Sequence, residues 1–102
     1  MNRIELTNII EVLGRSNVIE ILKALREREK TFTELQFDVH AQISTTQRAV
    51  KALEEVGLIK QRVEKRDGKR VVVYSLTPLG SEVLNWLDDF DRRARKLSVI
   101  IK

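Results

Sequence analysis

The sequence predicts a mainly α, α+β fold in which helices surround one small β-hairpin. Three observations predict it. Apolar residues recur at helical spacing toward both ends of the chain. Two capping-box patterns, Thr31 with Glu34 and Ser44 with Gln47, open two short helices close together. A stretch rich in β-branched residues is interrupted by Asp67-Gly68, a strong hairpin signal.

The first helix is expected over residues 4–13, where Ile4, Leu6, Ile9, Ile10 and Leu13 fall at compatible spacing before Gly14. Ser16 or Asn17 can cap the next helix. Its Val18, Ile21, Leu22 and Leu25 follow i, i+3, i+4, i+7, while Glu20, Lys23, Arg26 and Glu27 take the outer face. Thr31 caps a short helix reaching about His40, and a link over residues 41–43 leads to Ser44. From there a helix runs over residues 44–56, with Ala49, Val50 and Leu53 inward and Thr45, Thr46, Arg48 and Lys51 outward. Gly57 ends it, and a Schellman motif would return Leu58 onto Leu53. Strands are expected over residues 58–64 and 70–76. Thr77 and Pro78 then start a last helix of about 24 residues, roughly 36 Å long. Two short helices, a tight turn and a basic hairpin, in that order, are the parts of a winged helix-turn-helix with extended N- and C-terminal helices.

At 102 residues the chain is expected to form one domain: an N-terminal helix over 1–14, a winged-helix core over 17–76 and a C-terminal helix over 77–102. No apolar run is long enough to span a membrane and no signal-peptide pattern opens the chain, so a cytoplasmic location is expected. With one histidine and no cysteine, neither a metal site, a disulfide nor a cofactor is expected. No nucleophile–base pairing, phosphate loop or carboxylate pair suggests an enzyme.

Charge is the more informative property. The net charge of +4 is uneven: residues 41–76 hold eight Lys/Arg against four Asp/Glu, whereas residues 1–40 hold six against seven. A localised positive field is what a polyanion requires. Candidate DNA-contacting residues are therefore Ser44, Thr45, Thr46, Gln47, Arg48 and Lys51 on the helix over 44–56. Lys65, Arg66, Lys69 and Arg70 join them in the hairpin region 60–75. Arg48 suits a guanine edge, because its planar fork matches the two acceptors there; the wing cations suit phosphates or a narrow minor groove. Lysines on a hairpin also deter edge-to-edge aggregation, a bland reading of the same residues.

The last helix carries Leu79, Val83, Trp86, Phe90, Ala94, Leu97 and Ile101 at steps of four and three, more apolar surface than one small core needs. Ile9, Leu13, Val83, Trp86, Phe90, Leu97 and Ile101 are thus candidates for a homodimer interface. Asp88, Asp89 and Asp91 precede Arg92, Arg93 and Arg95 by four residues, a pattern explained by pairs within the helix. His40 sits beside the turn, where a lone histidine is usually a surface or capping residue.

The runs Phe32-Thr33-Glu34-Leu35, Ile43-Ser44 and residues 49–59, AVKALEEVGLI, resemble prokaryotic winged-helix transcription regulators. So do Arg66-Asp67-Gly68-Lys69-Arg70 and Tyr74-Ser75-Leu76-Thr77-Pro78-Leu79-Gly80. The resemblance spans about residues 17–87 and is to the broad MarR-like, HxlR-like and PadR-like group with its archaeal relatives. It implies a homodimer whose helix 44–56 reads the major groove while the wing touches the neighbouring backbone. HxlR-like members usually carry a cysteine near the start and ArsR-type metal sensors need Cys or His ligands; both are missing here, which speaks against thiol or metal sensing. The expected function is a dimeric, sequence-specific, DNA-binding transcription regulator without membrane association, its small-molecule effector undetermined. The alternatives are a winged-helix protein-interaction module and a weakly specific architectural DNA binder.

Overall fold

The computed structural model describes the backbone of residues 5–101 and the side chains of residues 5–98. Its elements are α1 (Leu6–Leu13), α2 (Val18–Glu27), β1 (Lys30–Thr31), α3 (Phe32–Val39), α4 (Ile43–Glu55), β2 (Ile59–Arg66), β3 (Lys69–Leu76) and α5 (Pro78–Ile101). This is the winged helix-turn-helix order, with a helix added at each end. Ile4, assigned to the first helix by periodicity, lies outside the described residues.

Helix α2 is the centre of the core. Val18, Ile21 and Leu22 are fully enclosed, and Leu35 of α3, Leu53 of α4, Leu84 of α5 and Leu58 belong to the same buried cluster. Each full burial of such a side chain contributes about 1.5–3 kcal/mol, so the contacts of α2 fix where the other helices sit.

The sheet has three antiparallel strands in the order β1-β3-β2, one more than the expected hairpin. Strand β1 is only two residues long, pairing Lys30 with Tyr74 and Thr31 with Val73. Two residues carry no periodicity, so the sequence gives no strand signal there. Lys30 is almost entirely buried, its ammonium ion-paired with Asp38 and lying 3.5 Å from Glu27. Those carboxylates hold its pKa above the ordinary lysine value, chiefly through the Asp38 hydrogen bond. A buried ammonium needs such partners, because its charge is costly to desolvate alone.

The local signals mostly set the boundaries. Thr31 accepts from the Glu34 amide at 3.2 Å and Glu34 accepts from the Thr31 amide at 2.9 Å, a complete capping box. His40 closes α3 in the left-handed region, φ 52°. Gln36 Nε2 donates to the Ala41 carbonyl across the turn into α4. At the far end of α4, Leu58 N–H donates to Leu53 O and Gly57 N–H to Glu54 O, both at 3.0 Å, with Gly57 at φ +77°; this is the Schellman closure. The turn into α2 departs from expectation: Asn17 stands at the N-cap with φ 65° and makes no side-chain cap.

The start of α5 is locked onto the end of α4. Thr77 Oγ1 donates to the Gly57 carbonyl at 2.6 Å and accepts from the Gly80 amide at 3.0 Å. Gly80 lies so close to the Leu58 carbonyl that a Cβ there would stand 2.1 Å from the oxygen. Further along, Asp88 pairs with Arg26 of α2 at 2.8 Å rather than with Arg92, whereas Asp89 and Asp91 do pair within the helix. Beyond that anchor α5 projects past the core, and the radius of gyration, 15.3 Å, exceeds the roughly 13 Å of a compact chain this long.

Candidate nucleic-acid interface

Helix α4 begins at Ile43, two residues earlier than the capping pattern implies, with Gln42 rather than Ser44 at the N-cap. The expected Ser44–Gln47 box does not form: no side chain caps this end. Instead Thr46 Oγ1 donates back to the Gln42 carbonyl at 3.0 Å. Thr46 is fully buried, which corrects the expectation that it points outward. The reason is geometric. Thr46 stands three, four and seven residues before Ala49, Val50 and Leu53, on the same inward stripe. Its hydroxyl is satisfied within the helix and has no route to a ligand.

With capping removed, Ser44 and Gln47 are exposed side chains beside Arg48 and Lys51. Spaced by three, four and seven, these four make one continuous polar face on the outside of α4. Thr45 flanks it, half-buried. Arg48 and Lys51 form no ion pair among the described residues, so both charges are open to solvent. Ile43, which sequence reasoning left in the link, is the first residue of this helix and is 55% exposed.

The hairpin is tighter and longer than expected. Its strands continue to Arg66 and Lys69, and only Asp67 and Gly68 form the turn, at φ 53° and 77°. Both residues in the left-handed region make it a type I′ turn, whose twist suits a two-residue hairpin. The register assigns the basic residues to two faces. Arg62, Glu64 and Arg66 share the face of buried Val73, where they meet acidic residues of the body of the domain. Arg62 binds Glu29 through Nε at 2.9 Å and Nη2 at 2.7 Å; Arg66 Nε binds Glu64 at 2.6 Å, and its Nη1 reaches Glu34 at 3.7 Å. Each arginine is held above its ordinary pKa, Arg62 mainly by Glu29 and Arg66 mainly by Glu64. Glu29 is correspondingly held below its usual range by Arg62. Arg66, expected among the free wing cations, is therefore neutralised by its own chain.

On the opposite face Lys65 and Arg70 stand directly across from each other, beside Val63 and Val72, which are 54% and 40% exposed. Lys69 flanks the turn. Among the described residues none of these three cations has an anionic partner. Like charges placed opposite each other destabilise a hairpin, so this juxtaposition works against the stability of the wing.

The candidate dimer residues divide. Ile9 and Leu13 are largely buried against their own core, at 6% and 8% exposure, and their remaining surface lies at the floor of a groove between α1 and α5. The exposed edge of α1 carries Leu6 and Ile10. With Ile9, Leu13, Val83 and Trp86 these line this apolar groove of about 380 Å³ between α1 and α5. Trp86, Phe90 and Leu97 are more than half exposed, with the Trp86 and Phe90 rings 6.0 Å apart. The Ile101 side chain lies outside the described residues. The most deeply buried core contact of α5 is Leu84, which the step-of-four stripe passes over; Leu79 and Val83 of the stripe, and Leu87, pack against the core beside it.

Among the described residues, no group of three or more His, Cys, Asp or Glu is placed to hold a metal ion. Nor is any helix long and apolar enough to cross a membrane.

Comparison with known proteins agrees with this architecture. The chain is similar to the reduced form of the transcriptional regulator YodB from B. subtilis, at 19% identity with 92% of each chain covered and a TM-score of 0.78. A PadR-family transcription regulator from Clostridium difficile is 24% identical, over 78% of this chain and 91% of that one, with a TM-score of 0.72. A MarR-family regulator from Enterococcus faecalis is 18% identical, over 96% and 92%, with a TM-score of 0.77. At these identities the likeness is one of fold, and the fold is that of winged-helix regulators. No curated protein matches the sequence. A family model described as the HVO_A0261 N-terminal domain matches residues 7–96, and the chain belongs to that family.

Proposed function

We infer that the protein is a sequence-specific DNA-binding transcription regulator acting as a homodimer. The outer face of α4 enters the major groove and the wing tip lies on the adjoining backbone or minor groove. One observation carries the reading: Ser44, Gln47, Arg48 and Lys51 form an exposed polar face, unpaired among the described residues, while wing residues Lys65, Lys69 and Arg70 are likewise unpaired. Side chains of this kind on a helix reach base edges, and wing cations neutralise phosphates. Arg48 reads a base, Gln47 suits an adenine edge, and Ser44 and Lys51 hold the helix in register on the backbone.

The regulators that share the fold support the reading, as does the α1–α5 groove. A second copy covering Leu6, Ile10, Trp86 and Phe90 would present two α4 helices to one duplex, as two-fold DNA readers do. Promoter occupancy would then act by blocking or recruiting polymerase. The test is equilibrium binding to the DNA upstream of its own coding region and to random duplex, for wild type and Arg48→Ala. A preference of about a thousandfold that collapses in the variant supports the reading. Equal binding to every duplex would make the protein an architectural binder, and no binding near physiological salt would leave protein interaction as its role.

A further inference from the structure

A polar cleft of about 400 Å³ opens between the α1–α2 turn and α4, lined by Gly14, Arg15, Ser16, Thr45, Arg48 and Ala49. Its lining brings two arginines and two hydroxyl-bearing residues together from distant segments of the chain, with the Glu11 carboxylate beside it on Arg15. The turn that forms its near wall is well defined. Arg15 N–H donates to Val12 O at 3.0 Å, Val18 N–H closes back on Arg15 O at 3.4 Å, and Asn17 takes the left-handed conformation that reverses the chain. Arg15 and Ser16 are thereby set at the flank of α4 rather than on a free loop.

The Arg15 guanidinium is itself oriented. Glu11, one helical turn earlier, accepts from Nε at 3.0 Å and from Nη2 at 2.9 and 3.1 Å. This grip occupies one edge of the fork and leaves Nη1 without a partner among the described residues. A planar fork held on one edge and open on the other suits an anionic oxygen pair. Arg48 approaches the same cleft from α4 with no ion pair of its own.

We propose that this cleft binds a backbone phosphate of the DNA flanking the bases read by α4, with Arg15 as its principal ligand, Ser16 and Thr45 donating hydroxyl hydrogen bonds, and Glu11 as the positioning residue for Arg15. The inference rests on the DNA-binding reading above and extends the contact surface to the α1–α2 turn, which neither the helix-turn-helix nor the wing includes. A phosphate contact of this kind adds affinity equally on every sequence, and it fixes how α4 is seated in the groove.

The experiment is a salt series of binding to random-sequence duplex by full-length wild type, Arg15→Ala, Arg15→Lys and Arg93→Ala, the last a remote exposed cation on α5 already paired with Asp89. Thermal melting of each variant establishes that it is folded; should Arg15→Ala melt early, Arg15→Gln takes its place. The expected result is that Arg15→Ala weakens binding about five- to tenfold at 0.1 M salt and lowers the slope of log K against log salt by about 0.9 for each protomer bound. Arg15→Lys keeps most of the slope, and Arg93→Ala binds like wild type. If wild type binds DNA and Arg15→Ala binds with the same affinity and slope, the cleft is not a phosphate site although the DNA-binding reading stands. If wild type shows no salt-dependent binding to any duplex, the DNA-binding reading fails and takes this proposal with it.

Discussion

Lys65 and Arg70 stand directly opposite each other on β2 and β3, two positive side chains on one face of the wing, while their neighbours Arg62 and Arg66 are turned to the other face and neutralised by Glu29 and Glu64. The hairpin thus keeps an unfavourable pair exposed and buffers the cations that point toward the body of the domain.

Replacing Lys65 by Glu converts that repulsion into attraction. The variant is expected to be more stable by about 0.2–1 kcal/mol in denaturant melts, yet to bind DNA more weakly with a shallower salt dependence. A loss of stability, or unchanged DNA binding, would contradict the role given to this face.

Thr46 separates the inner from the outer face of α4. Thr46→Val keeps the buried shape and removes only a hydroxyl bonded within the helix, so it should cost about 1 kcal/mol or less and leave DNA affinity unchanged. Ser44→Ala, two residues earlier and on the outer face, is expected to leave stability unchanged and weaken DNA binding. Melting and binding curves on the pair distinguish the two positions.

Two glycines test different constraints. Gly57 has φ +77° and open space, so Gly57→Ala should cost about 1–2 kcal/mol through the backbone alone. Gly80→Ala places a Cβ against the Leu58 carbonyl and forces α5 away from the end of α4. A cost of about 3 kcal/mol or more is expected, measured by the same melts.

The capping box makes stability depend on acid pH. Hydrogen bonding from the Thr31 amide, then from Arg28, lowers the Glu34 pKa to about 2 from an ordinary 4.5. A depressed carboxylate contributes fully above its unfolded pKa, and the contribution disappears as pH falls from about 4.5 toward about 2. Thr31→Ala removes only the hydroxyl and keeps the amide that holds Glu34, so it should cost about 1 kcal/mol at pH 7 with the acid loss largely retained, whereas Glu34→Ala should remove most of the loss that wild type shows across that window. Urea midpoints against pH measure both.

Trp86→Asp puts a charge in the groove between α1 and α5 without touching the Leu84 core contact. Wild type is expected to sediment as a dimer and the variant as a folded monomer with weakened affinity for a two-half-site duplex. A monomeric wild type would remove the groove from the account.

Much of this was legible in the sequence, for identifiable reasons. The capping box at Thr31, the Gly57 stop, the Asp67-Gly68 turn and the apolar spacing of α2 are local signals, and the structure obeys them. What escaped depends on contacts between distant segments. The Ser44–Gln47 pattern satisfied the capping rule, but Thr46 lies on the stripe of Ala49, Val50 and Leu53 and its polarity concealed that. Arg66 reads as a free cation until the register turns it toward Glu64. Strand β1 is defined only by its partner, and buried Lys30 only by Asp38. Ile9 and Leu13 have the same spacing whether their cover is α2 and α4 or a second chain; they are largely buried and also line the α1–α5 groove, so periodicity alone does not separate the two roles.

The most direct test of the central claim is selection of duplexes from a random-sequence pool by wild type and by Arg48→Ala. If the outer face of α4 reads bases from a dimer, wild type will enrich a two-fold symmetric site with half-sites about one helical turn apart. Arg48→Ala will then lose preference chiefly at one position in each half-site, by about 1–3 kcal/mol. Enrichment of no sequence by wild type, or the same motif from both proteins, would contradict the account.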